Sequence, residues 1–312
     1  MSPLPKKQNI LTSWPNNEAP LESLIEENLK FTEIDRGIHF FDDQNVLRVA
    51  NQFELRQKAY EYLYKVYLNE GYTRKKNSKL HLSIYNAIPD TTTLIVEDQN
   101  GNFNGTLTMV FDSNIGLPSD LQYKKEIDKL RGDKRQICEI ISLGIDRAQR
   151  GSIRILAGLF YYAFLFALHI MESTDMIINV IPSQANFYCK NLLFRKIGNK
   201  KKCPRANGVS AVLLNMRVSS LNNLRKRKRV FPFSMFQFSE QDEIKLARKL
   251  KSMLLPMSDL EFYTFFMEET DLWEKASDEK KNYIKKLYPA NQIDHFIISR
   301  ALAKTASKKY KN

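Results

Sequence analysis

The chain has 312 residues, 43% of them hydrophobic and 27% charged, with a formal net charge of +13. This is the composition of a globular protein with room for one good core and a small extra unit, and it excludes low-complexity, collagen-like and repeat architectures. The positive surplus implies an acidic counterpart, whether nucleic acid, anionic lipid, a phosphorylated group or an acidic protein, and charge alone does not choose among them.

Residues 1–35 are polar, punctuated by prolines and without the continuous apolar stretch of a signal peptide, so they read as a loose arm. A strand-like patch follows at 46–50. Residues 53–70 read as a helix, because Phe53, Tyr60, Leu63 and Tyr67 recur at helical spacing. Two strands then flank a turn: 93–97, the turn at Asp98 to Gly101, and 105–111. A loop with Gly116, Leu117 and Pro118 leads into a charged stretch, 123–131.

Residues 136–145 are apolar on both faces and read as a buried strand. The helix that follows, 153–171, has an apolar run of 17 residues from Ile155 to Met171. A membrane span needs about 20 residues, so this segment reads as a helix buried against a sheet. Strand 175–181 ends at Pro182, a short helix starts at Ser183, and 209–218 is a last strand. The order gives an α/β (α+β) domain over 36–222, with one mixed sheet flanked by helices. A basic linker (223–238) containing Arg225 to Arg229 marks the boundary. A helical C-terminal extension follows over 239–306, with Ser239 and Asp259 as expected N-caps, then a basic tail, 307–312.

Cys138, Cys189 and Cys203 show no CxxC pairing, and the four histidines show no HExxH spacing. Neither a disulfide framework nor a metal site is expected, and a reducing cytoplasm is the expected setting.

Two charged residues stand out against apolar surroundings. Glu139 interrupts the buried strand, where a carboxylate is costly unless paired or employed; burial raises its pKa and suits it to general-base work on an amine, while a structural ion pair remains the alternative. Arg56 leaves from the apolar face of helix 53–70 and must either meet an anion, such as Glu139 or a substrate carboxylate, or snorkel to the surface. Segment 147–154 joins strand to helix and brings Arg150, Gly151, Ser152 and Arg154 to a helix N-terminus, a weak phosphate-binding signal. Tyr188 follows the next strand, where it could protonate a leaving thiolate or simply pack.

These features occur in order with Leu55-Arg56, Tyr60, Gly71-Tyr72, Gly105 to Thr108, Asp112-Ser113, Gly116 to Pro118, Glu126, Leu130-Arg131, Ile137 to Glu139, Pro182, Phe187-Tyr188 and Phe194. Together they resemble the catalytic domain of the N-acyl amino acid synthases, relatives of the acyl-homoserine lactone synthases, over residues 45–218. The resemblance implies the GNAT acyltransferase fold. In it strand 136–145 bulges and splays from strand 176–182, opening a gap for a thioester-bearing pantetheine arm. It also implies direct attack of an amine on the thioester, with no covalent enzyme intermediate, and no permanently bound cofactor. Glu139 would take or steer the amine proton, Arg56 would pair with Glu139 or the acceptor carboxylate, and Tyr188 would serve the leaving group. Ile141, Ser142, Leu143 and Ile145, with Arg150, Gly151, Ser152 and Arg154, would hold the thioester and phosphopantetheine. Asn179, Gln184 and Asn186 would line the acceptor pocket, and the aromatics from Phe160 to Phe166 would wall an acyl tunnel or pack as core.

Segment 147–152 departs from the glycine-rich loop that coenzyme-A-dependent members of this fold use for pyrophosphate. A basic surface suits acidic acyl carrier protein better than coenzyme A as the acyl donor. Pro182-Ser183-Gln184 also replaces a Pro-x-His of the relatives, and Leu193 stands where a glycine often precedes the phenylalanine. The expected reaction is transfer of a medium or long acyl chain from carrier protein to the amine of an amino acid or similar small acceptor. Two other readings stay open: an acetyl-coenzyme A N-acetyltransferase of protein or RNA, and a non-catalytic basic binding protein. An anionic membrane is compatible as a peripheral partner; nucleic acid is not expected, for want of a recognisable motif.

Overall fold

The computed structural model describes residues 45–145, 153–220, 239–288 and 293, with the backbone of two short strands, Glu33–Ile34 (β1) and Gly37–His39 (β2). The remaining strands are β3 (Asn45–Val49), β4 (Thr92–Asp98), β5 (Phe103–Phe111), β6 (Ile137–Ile145), β7 (Asp175–Val180), β8 (Arg195–Lys196), β9 (Lys201–Cys203) and β10 (Val209–Arg217). The helices are α1 (Phe53–Asn69), α2 (Asp120–Gly132), α3 (Ile153–Leu165), α4 (Pro182–Asn191), α5 (Glu240–Ser252), α6 (Asp259–Tyr263), α7 (Leu272–Lys275) and α8 (Asp278–Leu287).

The expected mixed sheet is present, in the order β1-β2-β3-β4-β5-β6-β7-β10-β8, with β9 also paired to β10. Only β6 and β7 run parallel, because α3 connects them as a crossover; every other recorded pair is antiparallel.

Helix α3 is buried along its length from Ile155 to Leu165 and continues as a π-helical turn, Phe166–Ile170. The segment Ile153–Ile170 is long and apolar enough to cross a membrane, but 72% of it is buried inside the protein. It is the central helix of one core layer, packed with Leu107, Ile140, Tyr188 and Val212. Fully burying each such side chain contributes about 1.5–3 kcal/mol. The approach of α3 is close because Gly105 leaves room: a Cβ there would stand 2.8 Å from Ile155 Cγ2.

A second core layer covers the other face of the sheet. It joins Tyr60 of α1 and Tyr123, Ile127 and Leu130 of α2 to Phe262, Phe265, Trp273 and Ile284 of the C-terminal extension. The extension therefore touches both faces, since Leu250 of α5 belongs to the α3 layer. It is not one continuous helix. Residues 254–258 are non-helical between α5 and α6, and the cap of α6 is Ser258 rather than Asp259. Ser258 Oγ accepts from Glu261 N–H while the Glu261 carboxylate accepts from Ser258 N–H, a reciprocal pair that Asp259 cannot form from one position later. Ser239 caps α5 as expected, accepting from Asp242 N–H.

Candidate active site

Strands β6 and β7 pair only from Ile137 opposite Asp175 to Ile140 opposite Ile178. Beyond that point β6 runs on to Ile145 while β7 keeps only its pairing with β10, which holds it along its whole length from Asp175 opposite Arg217 to Val180 opposite Val212. The other side of β6 is also irregular. Thr108 faces Ile141 and Thr106 faces Gly144, so two β6 residues oppose one on β5. That is a β-bulge, and Ser142 sits in it with a left-handed φ of 55°. The ladder register thus skips Ser142 and Leu143 on the β5 side after β7 has departed on the other.

A cleft of about 960 Å³ occupies the gap. Ile141, Ser142, Leu143 and Ile145 line it from β6, and Ile178, Asn179 and Val180 from β7. Gln184 and Tyr188 line it from α4. The cleft passes through the sheet: Leu156 and Tyr188 belong to the α3 core layer, whereas Tyr85 and Leu272 pack with the opposite layer.

Glu139 lies just behind this wall. It has no exposed surface and does not itself line the cleft. One carboxylate oxygen accepts from Ser119 N–H at 2.8 Å and the other from Ser119 Oγ at 2.7 Å. Burial raises its pKa above the ordinary glutamate range, against the opposing pull of Arg205 and the Ser119 bonds. Ser119 is placed by a charged staple. Arg131 grips Asp112 with Nε and Nη2 at 2.7 and 2.8 Å and Asp120 with Nη1 and Nη2 at 2.8 and 2.6 Å, tying the end of β5 to the start of α2. Asp112, Gly116 and Arg131 of the sequence pattern thus act together: they shape the loop that delivers Ser119.

Tyr188 is 1% exposed, meeting Phe187 and Phe194 edge-on and Phe160 at a tilt. Burial pushes its hydroxyl pKa up, so the proton stays on. Asn179 donates to Gln122 Oε1 at 2.8 Å.

Three expectations are corrected. Arg56 does not pair with Glu139. Its guanidinium bonds Glu261 Oε1 and the Leu255 carbonyl, each at 2.5 Å, because the extension folds over α1 and supplies the anion. Asn186 is exposed and absent from the cleft lining: Gln184 and Tyr188, four apart, share the cleft face of α4, and a residue midway between them looks away. Arg154 likewise misses the cleft, two residues from Leu156, the α3 residue that lines it. As for the aromatics, Phe160, Phe164 and Phe166 are core and do not line the cleft. Arg150, Gly151 and Ser152 lie outside the described residues, as does the basic run Arg225 to Arg229.

Sequence reasoning missed the polar end of the cleft. Arg74, Lys76, His81, Tyr85, Arg205 and Lys280 line it, and among the described residues no aspartate or glutamate does. Burial, with Lys76 and Arg205 nearby, lowers the His81 pKa to about 3, so its imidazole is neutral. Its Nδ1 is buried without a hydrogen-bond partner, as is Arg205 Nη1. Tyr85, pushed up to about 12 by burial and the charge of Glu139, keeps its proton. No local motif marks these residues; only the fold assembles them.

The family model for FeeM, N-acyl amino acid synthase, matches residues 58–217, just over half of the chain. No curated protein matches in sequence. The solved structure of FeeM, an N-acyl amino acid synthase from uncultured soil microbes, superposes with a TM-score of 0.51 at 21% identity, covering 59% of this chain and 96% of that one. The acyl-homoserine lactone synthase LasI aligns at 0.42 and 13% identity, over 56% and 90% of the two chains. The spermidine/spermine N-acetyltransferase SpeG from Vibrio cholerae aligns at 0.40 and 13%, over 58% and 98%. With its parted strands, bulged β6 and matching sequence family, the chain belongs to the FeeM N-acyl amino acid synthases, N-acyltransferases of the GNAT fold.

Proposed function

We propose that the enzyme moves a medium or long acyl chain from the phosphopantetheine thioester of acyl carrier protein to the α-amine of an amino acid. The observation that carries this reading is the cleft through the parted strands, apolar at one end and cationic at the other, with no carboxylate lining it among the described residues. Its volume of about 960 Å³ sits at the top of the range for small-molecule sites, enough for an arm, a chain and an acceptor together.

The pantetheine arm enters on the α3 and α4 face and the acceptor on the face of Tyr85. The acceptor nitrogen attacks the thioester carbon, the C–N bond forms, and the C–S bond then breaks. Backbone amides of the Ser142–Leu143 bulge stabilise the developing oxyanion. Glu139 takes the amine proton through a bridging water, and Tyr188 protonates the departing thiolate. Juxtaposition of the two substrates supplies much of the rate. Exposed Lys190, Arg195, Lys196, Lys200 and Lys202 line the α4, β8 and β9 edge and suit the acidic surface of a carrier protein better than a compact nucleotide.

The test is acylation of the twenty amino acids by purified protein with acyl carrier proteins and acyl-coenzyme A of matched chain length. Carrier-dependent acyl amino acid is the expected product. Faster turnover with coenzyme A would reassign the donor, and no product with any donor would overturn the reaction.

A further inference from the structure

The family match ends at residue 217, yet the cleft has a wall beyond it: Leu272 of α7 and Lys280 of α8. We infer that the C-terminal extension completes the acceptor site, with Lys280 anchoring the carboxylate of the incoming amino acid. This rests on the N-acylation reading above and names what confers its acceptor preference.

Three observations carry it. First, Leu272 packs in the core layer that also holds Tyr85, opposite the layer of Leu156 and Tyr188. Helices α7 and α8 therefore face the acceptor half of the cleft, while α5 of the same extension lies on the α3 side. Second, Lys280 is held there with no carboxylate in direct contact among the described residues, Glu279 and Asp120 acting on it only from farther off. Its Nζ donates to Tyr85 Oη at 3.2 Å and lies 4.7 Å from the centre of that ring, and among the described residues no carboxylate stands within ion-pair distance. A partly buried ammonium resting on a phenol gains from an entering carboxylate a charge-assisted hydrogen bond that the phenol does not supply. Third, the extension is fixed in place. Tyr288 Oη donates at 2.8 Å to the carbonyl of Ala87, the last residue of the turn Ile84–Ala87 that bears Tyr85. Phe265 stacks on Phe53 with ring centres 5.2 Å apart. Lys280 thus reaches the cleft from a packed helix and not from a loose tail. The neighbouring cations Lys76 and Arg205 add to the field that selects an anionic acceptor over a cationic amine.

The experiment compares wild type, Lys280→Gln and Lys280→Arg in the full chain. Acceptors are the twenty amino acids and their carboxamides, which keep the amine and remove the negative charge. Lys280→Gln is expected to raise the acceptor KM by about 10-fold to 100-fold for free acids, the loss that follows from removing a charged hydrogen bond. It should change the carboxamide KM less than about threefold on the same argument and leave the donor KM and the melting temperature unchanged. Lys280→Arg should recover part of the affinity. An equal effect on acid and amide, or none on either, would overturn the anchor. A rise confined to the donor KM would overturn it too, by showing that the anion met is the donor phosphate. Calorimetric titration of the amino acids separates this inference from the reaction itself. Binding weakened by Lys280→Gln in a protein that acylates nothing would sink the reaction and keep the anchor, and binding that ignores the substitution would sink the anchor.

Discussion

Glu139 shares both of its carboxylate oxygens with one residue, Ser119, and meets no solvent. Glutamine can keep that geometry, since its carbonyl accepts from Ser119 N–H and its amide donates to Ser119 Oγ, so Glu139→Gln removes the charge and little else. The substitution is expected to lower kcat by about 10²-fold to 10⁴-fold, the usual size of a general-base contribution, and to abolish the acidic limb of the kcat profile. In wild type that limb lies above about pH 4.3, the ordinary glutamate value, because burial raises the pKa. Stability runs the other way. A native pKa above the unfolded one means that the native state keeps a proton the unfolded chain has already lost, so stability falls as pH climbs from the unfolded value through the native one. Denaturant titrations across that range should show the decline in wild type and not in Glu139→Gln. Full activity in the variant would reduce Glu139 to a support for Ser119.

At the level of elements, the meeting of α3 with β5 decides how the split can exist. Strand β6 loses β7 after Ile140 and must be held from the other side, by β5, against which α3 packs. Gly105 allows that helix to settle: an added Cβ would crowd Ile155 at 2.8 Å and Leu159 at 3.2 Å. Gly105→Ala is expected to cost about 1–3 kcal/mol, as overpacking does, measured by urea denaturation; an unchanged midpoint would show that α3 can retreat without cost. Periodicity and apolar runs made most of these elements legible, and the strand 136–145 stood out because it is apolar on both faces. The bulge and the splay were not legible from pattern alone, since a two-residue periodicity does not say where a ladder ends; the family resemblance supplied them. The two-residue β8 and three-residue β9 carry too few residues for any period to show. The cationic lining was hidden for another reason. Lys76, Arg205 and Lys280 sit in separate segments of a chain rich in cations, and sequence does not reveal which of them the fold will gather round one cleft. Arg56 showed that it needed an anion, but its partner lay 205 positions away.

That distant partner governs the molecule as a whole. The extension runs from α5, packed on the α3 layer, to α6–α8 on the opposite layer, and so it must pass the β3–α1 junction. There Asn51 Nδ2 donates to the Met253 carbonyl at 2.7 Å, and Arg56 holds both the Leu255 carbonyl and Glu261. The Arg56–Glu261 pair is nearly sealed, each side chain 8% exposed. An ion pair this buried returns little net stability, since desolvation offsets the attraction, but removing one member strands the other. Arg56→Met is therefore expected to cost about 3–5 kcal/mol, and the double variant Arg56→Met/Glu261→Met much less. A coupling near zero in that double-mutant cycle would deny the staple. Because the same extension carries Lys280 into the cleft, hydrogen exchange in the single variant should speed up across 259–288, and the acceptor KM should rise while the donor KM stays. Loss of stability without that selective loss of acceptor affinity would mean that the extension covers the core but does not shape the site.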